Sequence, residues 1–285
     1  MSFDCFIGID WSGARGPKLP GIQVAVCEDG RAAPRLVTNN GGPWRRSDLA
    51  AWLARACEDG APLIGFDFSF TFPYCDRGAY FPDTDGPQDA AGLWQLIERA
   101  CDGEPEYYGG PFREAAPWRD YFLSRGRRGL RYQTRHKQTE LACLAQGLGR
   151  PESVFKLIGP SQVGMGSLAG IRLLAALKRE VRNLAIWPFD TRRRGGPVVA
   201  EVFPRAFLAY AVQERRKVRE HGPLAAALKV FGSAPYRGAL PSDDAADAII
   251  LSAGLRARHG EKTLWQPAGM TEQIRRTEGW IFGVA

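Results

Sequence analysis

Four distant stretches of the chain each place a carboxylate where a charge is least at home. Asp10 closes the apolar run Phe6-Ile7-Gly8-Ile9-Asp10 and is followed at once by Trp11-Ser12-Gly13. Asp67 lies within Leu63-Ile64-Gly65-Phe66-Asp67-Phe68, and Glu201 within Val198-Val199-Ala200-Glu201-Val202-Phe203-Pro204. Ser242-Asp243-Asp244-Ala245-Ala246-Asp247 opens a helical pattern in which Asp244 and Asp247, three apart, share one face. A lone aspartate at a strand end commonly caps its own turn. Charge buried in apolar strands costs several kcal/mol unless it is paired or bound to a metal, so three such strands in one chain ask for a cation.

The set Gly8-Ile9-Asp10-Trp11-Ser12-Gly13, Gly65-Phe66-Asp67, Glu201-Val202-Phe203-Pro204-Arg205, Asp244-Ala245-Ala246-Asp247-Ala248 and Glu278-Gly279-Trp280-Ile281 resembles the family called domain of unknown function 429. That family is regarded as predicted nucleases of ribonuclease H fold. The Asp-Ala-Ala-Asp-Ala segment is also similar to the C-terminal motif of bacterial Holliday-junction resolvases, where a helix brings two aspartates to the metal site. The likeness runs through nearly the whole chain in order, in short motifs. It implies an α/β fold with a ribonuclease H-like mixed sheet flanked by helices, and a homodimer, since those resolvases act as dimers. A histidine often precedes the first helix aspartate in the family; this chain has Asp243 there, either a further ligand or a plain helix N-terminal charge.

The activity so implied is hydrolysis of nucleic-acid phosphodiesters with Mg²⁺ or Mn²⁺. Two ions about 3.5 to 4 Å apart can stabilise the attacking and leaving oxygens together, and such ions take hard oxygen ligands. On this reading Asp10 bridges the two ions, and Asp67 with Asp244 or Asp247 completes the shell. Glu201, placed by its buried strand more than by the resemblance, is a ligand or orients water.

The elements that must hold these residues are legible in outline. Strands are expected near 6–10, 22–27, 35–38, 62–68, 184–189 and 198–203, and a helix is expected from Ser47 and Asp48 to Gly60, capped by that pair. A helix beginning at Pro204 and another from Ser242 to about Arg258 follow. Residues 1–285 read as a single domain, with 70–183 a large helix and loop insertion too long for a simple connection. Trp44, Trp52, Trp94 and Trp118 read as core rather than interface. Gly159 to Ser167 precedes a helix, and its small residues could cradle a phosphate, with Ser161 and Gln162 as contacts, although no P-loop lysine is present. Residues 214–220 read as an exposed, charged helix end.

Within the insertion, Arg125, Arg127, Arg128, Arg131, Arg135 and Lys137 are interleaved with aromatics, and no acid lies between Arg125 and Lys137. Guanidinium groups beside aromatic rings suit phosphate contact with base stacking; the same run also suits a solvated basic loop.

With 285 residues, 45% of them hydrophobic, the chain can bury a substantial core, and its formal charge of +7 favours a polyanionic partner. Neither a membrane-spanning run nor a signal-peptide pattern is visible, which points to the cytoplasm. The six cysteines are dispersed without Cys-x-x-Cys and the only histidines are His136, His221 and His259, so zinc is not expected. Two other readings stay open. One is an ATP-dependent phosphotransferase of the actin and sugar-kinase type, with Asp10 to Gly13 and Gly164 to Ser167 as phosphate loops. The other is a non-catalytic nucleic-acid-binding module whose carboxylates are structural.

Overall fold

The apolar run at the N-terminus becomes the centre of a sheet. In the computed structural model, which describes residues 2–40, 42–159, 162–211, 218–240 and 242–285, β1 (Cys5–Asp10) pairs antiparallel with β2 (Gln23–Glu28) and parallel with β4 (Leu63–Phe66). Strand β3 (Arg35–Val37) pairs antiparallel with β2. Beyond β4 come β8 (Val198–Glu201) and β7 (Ala185–Trp187), both parallel to their neighbours, so the six-stranded mixed sheet runs β3-β2-β1-β4-β8-β7. A separate hairpin is formed by β5 (Leu123–Ser124) and β6 (Arg127–Arg128).

The helices are α1 (Arg46–Asp59), α2 (Ala90–Ala100), α3 (Gly110–Glu114), α4 (Gln138–Ala145), α5 (Gly164–Glu180), α6 (Pro204–Ala211), α7 (His221–Val230), α8 (Asp243–Arg258), α9 (Lys262–Trp265) and α10 (Glu272–Thr277). Side chains alternate across a strand with period two, and the sheet therefore has two apolar faces. Ile7, Ile9, Ile64, Phe66 and Val199 share one buried cluster with Leu49 and Leu53 of α1 and Leu168, Ile171 and Leu174 of α5. Phe72, Phe81, Phe112, Phe122 and Phe155 of the 70–183 segment belong to that same cluster, so the segment and this face of the sheet have one core. Phe6, Leu63, Ala200 and Val202 pack on the opposite face with α6, α7, α8 and the closing Trp280-Ile281-Phe282. Trp44 and Trp94 are buried, while Trp52 and Trp118 are half-buried against the first core.

Helix α8 lies directly on β1. A Cβ added at Gly8 would run into the Ala248 carbonyl, the Ser252 amide and the Leu251 Cβ. Two of these are backbone atoms of a buried helix and cannot swing aside. Gly8→Ala is expected to cost about 1–3 kcal/mol by overpacking, measured by denaturant unfolding; a loss under about 0.5 kcal/mol would mean that α8 can move away from the sheet.

The start of α1 corrects an expectation. Arg45, rather than Ser47 or Asp48, is the cap residue, and no side chain of the cap closes the helix. A remote carboxylate does so instead. Glu106 accepts the Ser47 N–H at 3.1 Å and the Ser47 hydroxyl at 2.9 Å, and pairs with Arg45 at 2.6 Å. Burial by itself would raise the Glu106 carboxyl, but the bonds from Ser47 and Arg45 outweigh it and hold the group below its ordinary 4.5. Removal by Glu106→Ala is expected to cost about 1–2 kcal/mol, as for other lost N-caps. Because the folded value is depressed, this contribution is full above pH 4.5 and fades as the pH falls through the folded value. The stability gap between wild type and variant, measured from pH 7 downwards, should therefore narrow only below that point.

Candidate functional site

Register decides which carboxylates can meet. Ile9, Phe66 and Glu201 stand in one row across β1, β4 and β8. Asp10 and Asp67 form the next row, the Asp67 N–H donating to the Ile9 carbonyl at 3.1 Å. Adjacent strands lie about 4.8 Å apart, so these two backbones are immediate neighbours at the strand ends. Alternation sends Asp10 and Asp67 to the face covered by α8 and sends Glu201 to the face of Ile9 and Phe66. The first turns of α8 then bring Asp244 and Asp247 to the same end of the sheet. Ser242 caps that helix by accepting the Ala245 N–H at 3.1 Å.

Asp10, Asp67, Glu201, Asp244 and Asp247 all line one cleft of about 560 Å³. Arg15, Arg113, Arg150 and Arg205 line it too, three of them exposed and Arg113 half-buried. Carboxylates at the strand ends and guanidinium groups around them form a site of two signs.

The turn that carries Asp10 is held from behind. Arg46 is fully buried and donates to the Ser12 carbonyl at 2.7 Å, to that of Ala14 at 2.8 Å and to that of Glu106 at 2.8 Å. Burial, opposed by nearby Glu106, brings its guanidinium down to about 10, still charged at neutral pH. Trp11 donates its ring N–H to the Gly166 carbonyl at 2.9 Å. Gly13 approaches α5 so closely that an added Cβ would overlap the backbone of Met165 and Gly166. The small residues at the start of α5 are buried, so they serve this close packing; Gln162 lines the cleft, whereas Pro160 and Ser161 lie outside the described residues. Residues 214–217 of the charged stretch also lie outside them.

Glu201, expected as a ligand or to orient water, is engaged by a cation of the protein itself. Both its oxygens accept from the Lys137 ammonium at 2.6 Å, and Oε2 also accepts the Phe70 N–H at 2.9 Å. Lys137 is 0% and Glu201 4% exposed, which makes this a closed internal ion pair. Burial pushes the Glu201 carboxyl up, against the pull of Lys137 and the Phe70 amide. Lys137 is thereby removed from the expected nucleic-acid surface. Arg135 is likewise internal, bound to Asp76 at 2.6 Å and to the Tyr80 carbonyl at 2.6 Å.

Of the remaining basic residues, Arg127 reaches Glu114 at 3.2 Å and the Arg113 carbonyl at 3.1 Å. Arg131 holds the Tyr121 hydroxyl at 2.9 Å, and Arg128 lies over the Tyr132 ring. Arg125, Arg128 and Arg131 are exposed. The interleaved rings are turned inward: Tyr121, Phe122 and Tyr132 are 4%, 0% and 9% exposed, which removes them as base-stacking platforms. Asp243 does not line the cleft and faces Arg219 at 3.5 Å.

Compared with protein-family models, with curated proteins and with solved structures, the chain shows no match.

Among the described residues, no group of three or more His, Cys, Asp or Glu side chains is gathered to hold a metal ion by itself. The donor chemistry still suits a hard cation. Magnesium is commonly held by one or two carboxylates, several waters and the phosphate of its substrate rather than by an all-protein cage, and Asp10 and Asp67 line the cleft together. Thiol chemistry does not compete: burial pushes the Cys5, Cys57 and Cys143 thiols to about 12, leaving almost no thiolate at neutral pH. No helix among the described residues is long and apolar enough to cross a membrane.

Sequence reasoning missed Arg46, Glu106 and, in the cleft, Arg15, Arg113 and Arg150; Arg205 stood in a quoted motif without a role. One signal was present. The pair Arg45-Arg46 at the start of a helix opposes the helix dipole, which favours acids there, so its charge had to be used elsewhere.

Proposed function

We propose that this protein is a divalent-metal-dependent phosphodiesterase acting on nucleic acid, built on a ribonuclease H-like core of the kind found in the domain of unknown function 429 family. The observation that carries the reading is the shared cleft of Asp10, Asp67, Asp244 and Asp247 with its four arginines. Further support comes from the sheet, which begins with three antiparallel strands and continues in parallel from β1, the arrangement that the sequence resemblance implies.

Asp10 and Asp67 would hold the cation, with Asp244 or Asp247 orienting a water bound to it. A bound Mg²⁺ or Mn²⁺ would supply charge stabilisation for the attacking and leaving oxygens. The arginines of the cleft would orient the phosphate, for which a planar guanidinium fork is well suited. Glu201 is omitted from this set because Lys137 already occupies both its oxygens.

The test is cleavage of single-stranded, duplex, hybrid and branched nucleic acids with Mg²⁺ or Mn²⁺, beside a chelator control and Asp10→Asn. Cleavage that needs both metal and Asp10 supports the reading. Cleavage that survives the chelator or the loss of Asp10 would overturn it; no cleavage by a folded protein that binds nucleotide stoichiometrically would replace it with the phosphotransferase alternative.

A further inference from the structure

The β5–β6 hairpin and the turn after it present an exposed apolar side chain among exposed guanidinium groups. Leu130 is 93% exposed, the most exposed of the large hydrophobic residues described. It follows Gly129, which is buried and tied to the body by its N–H to the Phe122 carbonyl at 2.9 Å. The leucine is therefore held outward from a fixed base. On either side stand the exposed guanidinium groups of Arg125, Arg128 and Arg131.

The hairpin is joined to the edge of the cleft. Leu123 and the 155–157 segment exchange backbone bonds of 3.0 and 2.9 Å, and Arg127 donates to the carbonyl of Arg113, a residue of the cleft.

We infer that this hairpin is a probe for base-paired nucleic acid, in which Arg125 and Arg128 hold phosphates while Leu130 enters a base step as an apolar wedge. The assignment rests on the phosphodiesterase reading for the nature of the substrate. Charge complementarity favours a polyanion, since the guanidinium groups of Arg125 and Arg128 are exposed beside Leu130. The inward-turned rings of Tyr121, Phe122 and Tyr132 argue against single strands, which are held chiefly by stacking on aromatic side chains. A protruding aliphatic residue instead suits a partly unstacked duplex step.

The experiment uses the full-length Asp10→Asn protein and a duplex carrying 2-aminopurine, whose fluorescence rises when its base step opens. Wild-type hairpin is expected to bind the duplex and raise the signal. Leu130→Ser, a change on the surface, should abolish the rise and weaken binding about tenfold or more, while leaving the salt dependence intact. Arg125→Ala with Arg128→Ala should lower the slope of log K against log salt by about 1.8, at roughly 0.9 per phosphate contact. Unchanged fluorescence and affinity for Leu130→Ser would overturn the inference. Binding to phosphatidylserine vesicles that depends on Leu130, with no duplex binding, would also overturn it and make the hairpin a membrane contact.

Hydrolysis of bis(p-nitrophenyl) phosphate by the wild-type protein separates the two readings. If that small diester is cleaved while the duplex is not bound, the wedge fails and the cleft reading stands. If the duplex is bound and opened while no diester is cleaved, the wedge stands and the phosphodiesterase fails.

Discussion

Asp10→Asn is expected to lower metal-dependent cleavage at least about a thousandfold, roughly 4 kcal/mol of barrier, while the protein stays folded. The substitution keeps the size of the side chain and removes the charge that a cation needs. Asp10 closes the central strand beside Asp67, at the end of the sheet where the cleft lies. Asp67→Asn should follow the same course. Asp244→Asn and Asp247→Asn, at the start of a helix rather than on a strand, are expected to have smaller effects, on the order of 10- to 100-fold, because each can partly replace the other. The checks are initial rates across a Mg²⁺ titration and the far-ultraviolet circular dichroism of each variant. Full activity in Asp10→Asn would end the assignment.

Lys137→Met should produce the largest loss of stability, about 3–5 kcal/mol, because it leaves the Glu201 carboxylate buried with no counter-ion. The pair is shut away from water, with Lys137 at 0% and Glu201 at 4% exposure. It also ties the segment leading into α4 to the end of β8, where the Phe282 N–H meets the Glu201 carbonyl at 2.8 Å. The double variant Lys137→Met with Glu201→Leu should recover most of the loss, since an apolar pair of similar volume carries no desolvation penalty. Denaturant unfolding of the four proteins in this cycle measures the coupling. A single-variant loss below about 1 kcal/mol would mean that water reaches the pair. Metal affinity in the double variant should change only a few-fold; a loss as large as that of Asp10→Asn would return Glu201 to the ligand set.

The strands and helices that carry the site could be read from local pattern. Apolar runs ending in Asp10 and Asp67 gave strands at 5–10 and 63–66, and the Ser242 cap before a helical pattern gave the helix at 243–258. Such features rest on hydrogen bonds and burial within a few residues, where sequence and structure are closest. The cap of α1 could not be read, because its acceptor, Glu106, lies some sixty positions away in sequence.

Local pattern alone is enough to show four carboxylate-bearing segments, three of them at strands of an α/β protein. Which carboxylates share a face depends on how the strands pair. Side-chain direction alternates along a strand, so one step of register separates Asp10 and Asp67 from Glu201, and register is set by pairing between segments far apart in the chain. The same distance effect settled the basic run. Its spacing is uniform in sequence, yet Arg135 and Lys137 were drawn inward by Asp76 and Glu201, while Arg125 and Arg128 remained at the surface, because a cation can be buried only where the fold supplies it with an anion.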